Sequence, residues 1–191
     1  VLNFSAACVI IIYGEVIIRG KSEYDYRKNI VWRNYFMCGI VGYIGQRDCT
    51  DVLMQGLEKL EYRGYDSAGI AVFEKTGIKT VKTKGKLADM RHKLEIEGSP
   101  VGHCGIGHTR WATHGEPSDL NSHPHTNGRV TIVHNGIIEN YIELKEFLTE
   151  KGYTFTSQTD TEVVACLLDY YYSERNPLRA IMETVKELQG S

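Results

Sequence analysis

The feature that most constrains this chain is a cysteine placed directly after the first methionine. Met37 precedes Cys38, and a short apolar run punctuated by glycines follows as far as Ile44. If translation began at Met37, removal of that residue would leave Cys38 with a free thiol and a free α-amine. A nucleophilic thiol needs a neighbouring base, and an N-terminal cysteine carries one itself. The alternative is that Cys38 is a small buried residue, the commonest state of a free cysteine.

Composition narrows the possible classes. The 191 residues are 42% hydrophobic and 24% charged, which allows one globular domain with a real core. A net charge of −2 does not indicate a nucleic-acid surface. The five cysteines contain no CxxC pair, which argues against a disulfide framework or a zinc ribbon and favours a reducing cytoplasm. The spacings of His108, His114, His123 and His125 fit no usual zinc pattern, so we predict no metal and no cofactor.

Residues 1–36 form a segment of a different kind. Residues 4–18 are largely apolar, but Gly14 and Glu15 interrupt them, and the run falls short of the roughly 20 residues of a membrane span. The segment also lacks the features of a signal peptide, and we predict no membrane association. It could be a pro-segment that is removed to expose Cys38, a structural N-terminal strand, or sequence upstream of the true start. We favour the last interpretation and predict a domain over residues 37–191.

Periodicity over residues 37–191 predicts an α+β layered domain. Strands are predicted at 38–44, 68–73, 78–83, 104–108, 130–134 and 154–156, the second and third forming a hairpin. Helices are predicted from Asp48 or Thr50 to about residue 62, and at 85–94, 140–151, 160–172 and 177–188. The polar stretch 109–128 is predicted to be a long loop, and such loops are commonly functional.

One polar stretch, residues 108–115, carries side chains suited to binding a small polar molecule. Arg110 offers a planar fork for a carboxylate. Trp111 can cover an apolar stem, while Thr113 and His114 offer hydrogen bonds. A solvated loop anchored by a buried tryptophan is the alternative. A second such run, residues 61–69, lies between a predicted helix and a strand, and it is either a turn or part of a site.

Two further positions are ambiguous from the residues alone. Asn135 and Gly136 follow a predicted strand but lead into a helix, unlike a hairpin turn. Displayed together, the Asn135 amide and the Gly136 N–H could hold an oxyanion, and losing one such donor costs about 3 kcal/mol of barrier. Asp160 is either a helix N-cap or a partner for a substrate ammonium.

Six motifs occur in a fixed order along residues 37–191. They are Cys38-Gly-Ile-Val-Gly, Tyr62-Arg-Gly-Tyr-Asp-Ser-Ala-Gly, His108-Thr-Arg-Trp-Ala-Thr-His-Gly-Glu-Pro, His123-Pro-His, Val133-His-Asn-Gly-Ile-Ile-Glu-Asn and Thr159-Asp-Thr-Glu. Together they closely resemble the glutaminase domain of the glucosamine-6-phosphate synthase family. The resemblance implies a four-layer αββα sandwich of the N-terminal-nucleophile hydrolase type. It also implies glutamine as the substrate.

The resemblance implies catalytic roles for three residues. Cys38 would attack the side-chain amide of glutamine, with its own α-amine acting as base. Asn135 and the Gly136 N–H would form the oxyanion hole. With Cys38 inside a peptide bond the base is lost, so we expect the extended chain to be inactive.

The resemblance also implies a set of residues that bind the substrate. Arg110 would bind the α-carboxylate of glutamine, and Asp160 its α-ammonium. Arg63 would lie near the nucleophile and order it. The loop that closes over glutamine would include Trp111, Thr113 and His114.

In that family the ammonia passes to fructose 6-phosphate, bound by C-terminal domains, and yields glucosamine 6-phosphate for amino-sugar synthesis. We therefore expect a C-terminally incomplete chain from a cytoplasmic, homo-oligomeric enzyme. The enzyme alternatives are a phosphoribosyl amidotransferase or an amidotransferase of the asparagine synthetase type. An inactive fragment with a buried Cys38 is the alternative of a different class.

Overall fold

The computed structural model describes residues 9–13, 38–112, 115–174 and 176–190. The strands are β1 (Val9–Tyr13), β2 (Gly39–Ile44), β3 (Ser67–Glu74), β4 (Gly77–Lys84), β5 (Cys104–Arg110), β6 (His125–Asn127) and β7 (Val130–His134). The helices are α1 (Cys49–Glu58), α2 (Leu87–Glu97), α3 (Tyr141–Glu150), α4 (Asp160–Glu174) and α5 (Pro177–Glu187). None of the helices in these ranges is long and apolar enough to cross a membrane.

The strands form two sheets. One has the order β2-β5-β3-β4, and all its neighbours are antiparallel. The other has the order β1-β7-β6, in which β6 is antiparallel and β1 parallel to the central β7. In β1, Tyr13 pairs with His134 at the end of β7. Residues 1–8 and 14–37 lie outside the described residues.

The alternation of side chains along the strands creates three buried interfaces between the layers of the fold. In β3, Ile70 belongs to a buried cluster with α1 and α2, whereas Ala71 belongs to one with Val133 of the other sheet. Adjacent residues of a strand face opposite sides, so the four-stranded sheet is covered on both faces. On the far side, β7 packs on α4 through a third cluster that includes Ile132. The order is therefore helices, sheet, sheet, helices, which confirms the predicted α+β class and αββα sandwich.

Most predicted elements are confirmed, including the β3–β4 hairpin and the helix that begins at Pro177. Helix α1 is capped by Asp48, whose Oδ1 accepts the Thr50 N–H at 2.9 Å. The predicted end of this helix, near residue 62, is wrong. The Leu60 N–H donates to the Leu57 carbonyl at 2.9 Å, which tightens the last turn, and a separate 3₁₀ turn, Glu61–Arg63, follows.

Two other local predictions are wrong for tertiary reasons. The stretch 109–128 is not all loop, because β5 continues to Arg110 and β6 pairs with β7. The stretch 154–156 is not a strand, because its polar groups bond elsewhere. The N–H and hydroxyl of Thr156 donate to the Glu162 carboxylate at 2.9 and 2.8 Å, which ties this segment to the first turn of α4.

Candidate active site

Cys38 lies immediately before β2 and beside the end of β5. The Gly39 N–H donates to Thr109 Oγ1 at 3.1 Å, and the Trp111 N–H donates to Cys38 Sγ at 3.2 Å. The Cys38 side chain is half-buried. Pairing of the two strands thus fixes the thiol above the point where the chain leaves β5.

Asn135 brings the second sheet to Cys38. It follows the last residue of β7, and its Nδ2 donates to the Cys38 carbonyl oxygen at 2.9 Å. A carboxamide nitrogen carries two hydrogens, so one N–H of Asn135 is available for another acceptor. Gly136, next in the chain, is exposed. Two residues 97 positions apart are therefore joined where the two sheets meet.

Burial raises the pKa of the Cys38 thiol above its ordinary value, while the Trp111 N–H and the positive charge of Arg110 act in the opposite direction. A thiol with a raised pKa is protonated at neutral pH. Only the thiolate is an effective nucleophile. Cys38 therefore needs a base.

Arg110 is the last residue of β5 and is 4% exposed. Burial lowers the pKa of this guanidinium, while Asp66 foremost, then Cys38 in its thiolate form, and then Asp160 raise it. A buried, permanently charged fork facing acidic groups is suited to binding a zwitterion. It lies close enough to Cys38 for its positive charge to favour the thiolate form of the cysteine.

Asp66 is a site residue to which the sequence analysis gave no role. Its Oδ2 accepts the Ala112 N–H at 2.6 Å and its Oδ1 accepts the Ser67 hydroxyl at 3.0 Å. The Asp66 N–H in turn donates to the Arg110 carbonyl at 2.8 Å. Asp66 thus holds the chain as it leaves β5 and places a negative charge near Arg110. Its place in a run of charged and aromatic residues just before a strand was the available signal.

Asp160, 8% exposed, is the first residue of α4. Its Oδ1 accepts the Thr161 N–H and its Oδ2 the Ile138 N–H, both at 2.8 Å. The carboxylate therefore binds an N–H in the first turn of α4 and also fixes the segment that follows Asn135 and Gly136. The N-cap itself is Thr159 rather than the predicted Asp160, because Thr159 Oγ1 accepts the Glu162 N–H at 3.3 Å.

The remaining predicted residues contribute less to the described geometry. Trp111 is 42% exposed beside Cys38. Arg63 Nε donates to the Tyr62 hydroxyl at 3.2 Å, and the guanidinium lies over that ring. Thr113 and His114 lie outside the described residues, so their part in a closing loop stays a prediction.

A group of buried histidines lies behind Asn135. His108 is fully buried, and its Nε2 lies 2.8 Å from Asn135 Oδ1. Its ring stacks on His123 with centroids 4.3 Å apart, and His125 meets His123 edge-on. Burial lowers the pKa of all three, that of His108 to about 4.

Within the described ranges, no group of three or more histidines, cysteines or carboxylates is arranged to hold a metal ion.

Comparison with known proteins places these features in a family context. Residues 108–191 match the glutamine amidotransferase domain family. The chain is 59% identical over 157 residues to glutamine–fructose-6-phosphate aminotransferase (isomerizing) from Clostridium tetani, covering 81% of this chain and 26% of that protein. The enzymes of the same name from Clostridium perfringens and Thermus thermophilus are 60% and 54% identical, again over 81% of this chain and 25% and 26% of theirs. These relatives confirm the resemblance carried by the six motifs, and the chain spans about a quarter of their length.

Solved structures share the fold at lower identity. A glutamine phosphoribosylpyrophosphate amidotransferase from B. subtilis, complexed with ADP and GMP, superposes with a TM-score of 0.65 and is 26% identical. That match covers 81% of this chain and 33% of the other. The likeness agrees with the N-terminal-nucleophile amidotransferase architecture expected from the motifs.

Proposed function

We propose that residues 37–191 are the glutaminase part of a glutamine–fructose-6-phosphate aminotransferase, and that residues 1–36 are an extension outside the native enzyme. Identity of 59% to an enzyme of that name, against 26% to a phosphoribosyl amidotransferase, supports this assignment over the second candidate. The observation that carries the activity is the contact of Cys38 with Trp111, which follows β5 of one sheet, and with Asn135, which follows β7 of the other.

The chemistry begins with the Cys38 thiol. Once Cys38 is N-terminal, its α-amine takes the thiol proton, directly or through water, and Sγ attacks the side-chain carbonyl carbon of glutamine. The carbonyl oxygen becomes an oxyanion, which the second N–H of Asn135 and the Gly136 N–H stabilise. Collapse of this intermediate breaks the C–N bond, and the nitrogen leaves as ammonia with the proton returned by the α-amine. Water then hydrolyses the γ-glutamyl thioester to glutamate and regenerates the thiol.

Recognition of glutamine follows from its two charges. Arg110 binds the α-carboxylate and Asp160 the α-ammonium, a clamp supported by the burial of both residues and by the field between them. The loop of Trp111, Thr113 and His114 closes over the bound amino acid. Arg63 orders the nucleophile from the 3₁₀ turn that precedes β3.

Ammonia is the product that leaves for the second reaction. The relatives are named for transfer to fructose 6-phosphate, and we assign the same acceptor to the whole protein, bound by domains beyond this chain. The product would be glucosamine 6-phosphate, made in the cytoplasm by a homo-oligomeric enzyme for amino-sugar synthesis.

The direct test uses a chain that begins at Met37, with removal of the methionine verified by mass spectrometry. We expect glutamate release from glutamine, and stoichiometric labelling of Cys38 by a glutamine-like diazo-ketone amino acid that glutamine blocks. Cys38→Ala is the matched control and should lose both. A correctly processed chain that shows neither would identify an inactive fragment with a buried cysteine.

A further inference from the structure

We propose that His108 is a positioning residue for catalysis, which holds the Asn135 amide in the orientation that an oxyanion hole requires. This role rests on the proposed glutaminase function and goes beyond it, since His108 touches neither the reacting atoms nor, in the proposed mechanism, the substrate. Its effect passes through a single hydrogen bond.

The geometry is a short chain of contacts between the sheets. His108 lies in β5, a strand with neighbours on both sides. It pairs with Ile40 of β2 on one side and with Gly69 of β3 on the other. Its Nε2 lies 2.8 Å from Asn135 Oδ1, and Asn135 Nδ2 lies 2.9 Å from the Cys38 carbonyl oxygen. The amide is thus held at both ends, by one residue from β5 and by the nucleophile's own backbone.

Donor and acceptor rules fix which way this amide points. Oδ1 of a carboxamide can only accept a hydrogen bond, so His108 Nε2 must be the donor. Rotating the amide by half a turn would set its NH₂ group against the Nε2–H of His108, and its oxygen against the Cys38 carbonyl. The contact between the two oxygens would be repulsive for either tautomer of His108, and the contact with the NH₂ group for the Nε2–H tautomer. The bonded network therefore keeps Nδ2 directed at the nucleophile, where an oxyanion would form.

The histidine is itself fixed in place. Its ring is fully buried and lies nearly parallel to the His123 ring, 4.3 Å away at an angle of 20°. Burial keeps the imidazole neutral at working pH, because its pKa is about 4. A buried donor with a locked ring can hold its acceptor in one orientation through repeated turnovers, without adding a charge beside the nucleophile.

The test compares two substitutions of equal length, His108→Gln and His108→Met, in the chain that begins at Met37. Both remove the stacked ring, but only glutamine keeps a donor at the end of the side chain. We expect His108→Met to lower kcat for glutamine hydrolysis by about 10- to 100-fold, with KM nearly unchanged, because a donor used mainly in the transition state becomes misdirected. His108→Gln should recover most of that loss. His92→Met, on the exposed face of α2, is the control and should match the parent.

Two further measurements separate positioning from a structural role. Alkylation of Cys38 by iodoacetamide needs the thiol but no oxyanion hole, so its rate should be the same in the parent and in both His108 variants. In an Asn135→Ala background, His108→Met should cost no additional kcat. Equal kcat values for the Gln and Met variants, slowed alkylation, or a full additional loss in the double variant would each overturn the proposed role. An inactive parent chain would instead refute the glutaminase function on which it rests.

Discussion

At the scale of single residues, the site joins groups that have structural contacts as well as a proposed chemical role. Asp160 accepts the N–H groups of Thr161 and Ile138, and Asp66 accepts the Ala112 N–H. Arg110 is buried among these negative charges. Since the acidic groups are already committed to backbone N–H donors, they are preorganised before any substrate arrives. Such preorganisation is what lowers a barrier without reorganisation during the reaction.

Arg110→Lys tests the substrate clamp. Lysine keeps the charge but loses the planar fork, so we expect the KM for glutamine to rise by at least about tenfold with a smaller change in kcat. The measurement is steady-state glutamate release by a chain with Cys38 N-terminal. 4-Aminobutanamide, which is glutamine without its α-carboxylate, is the matched control substrate, and the variant should discriminate against it less than the parent does. An unchanged preference for glutamine would place the carboxylate elsewhere.

The sequence predicted which residue types form the site, but it did not predict their hydrogen-bond partners. The motifs single out Cys38, Arg110 and Asn135, and the structure brings them together. The proposed positioning role of His108 could not be predicted from the sequence. Its partner Asn135 lies 27 positions away, and the two residues come into contact only when the two sheets stack. In the sequence, His108 was visible as a possible metal ligand and as the start of a motif, and nothing distinguished a buried donor from either.

At the scale of elements, three histidines are buried where the two sheets and the start of α4 meet. Histidines come from β5, β6 and the segment before β6, and burial lowers the pKa of His108, His123 and His125. In the unfolded chain such residues take up a proton near pH 6.5. The folded state therefore excludes protons that the unfolded state binds, and this links the stability of the sandwich to pH.

We predict that stability falls as the pH drops from 6.5 towards 4. In this window the unfolded state binds more protons, so the free energy of unfolding decreases by up to about 1.4 kcal/mol per pH unit for each buried neutral histidine. Urea denaturation at pH 7.5 and 5.5 measures the effect before most carboxylates titrate. His125→Gln should make the pH dependence shallower, whereas replacing the exposed His92 should not. A urea midpoint that does not move between these pH values would contradict the prediction.

A close approach between β3 and the segment before β6 makes Gly69 necessary. A Cβ atom at this position would collide with the backbone carbonyl oxygen of His123, which cannot turn aside as a side chain can. We expect Gly69→Ala to destabilise the fold by about 1–3 kcal/mol, measured by chemical denaturation. Gly45→Ala is the matched control, because the three atoms nearest to its Cβ would belong to the end of the Tyr43 side chain rather than to the backbone. Equal effects of the two substitutions would argue against backbone contact as the cause.

Elements with strong local signals were predictable, and elements that depend on a partner were not. The β3–β4 hairpin alternates and turns at Gly77, so its pattern is complete in itself. Strand β6 has three residues, His125–Asn127, and exists because β7 pairs with it. Residues 154–156 show the opposite case. Their sequence has a β-like pattern, but the N–H and hydroxyl of Thr156 donate to Glu162 instead of to a neighbouring strand.

At the scale of the whole molecule, stacking of the two sheets brings the end of β5 and the end of β7 together at one site. Strand β1 ends in the same region. Strand β1 runs parallel to β7, so that Tyr13 ends beside His134, one residue before Asn135. Strand β1 therefore occupies the β7 edge, and the peptide bond from Met37 leaves Cys38 without a free α-amine. Removing it should have two opposed consequences, a gain of activity and an exposed strand edge.

Cleavage placed directly before Cys38 tests both consequences. We predict that the full chain, with its N-terminus verified as intact, releases no glutamate, because Cys38 inside a peptide bond has no α-amine to accept the thiol proton. A site-specific protease that cuts between Met37 and Cys38 should switch on glutamate release, and the same treatment of a Cys38→Ala chain should not. Light scattering should then show more self-association if the freed segment is removed than if it stays bound, because the unpaired edge of β7 can pair with another molecule. Glutamate release by the intact chain would show that another group serves as the base.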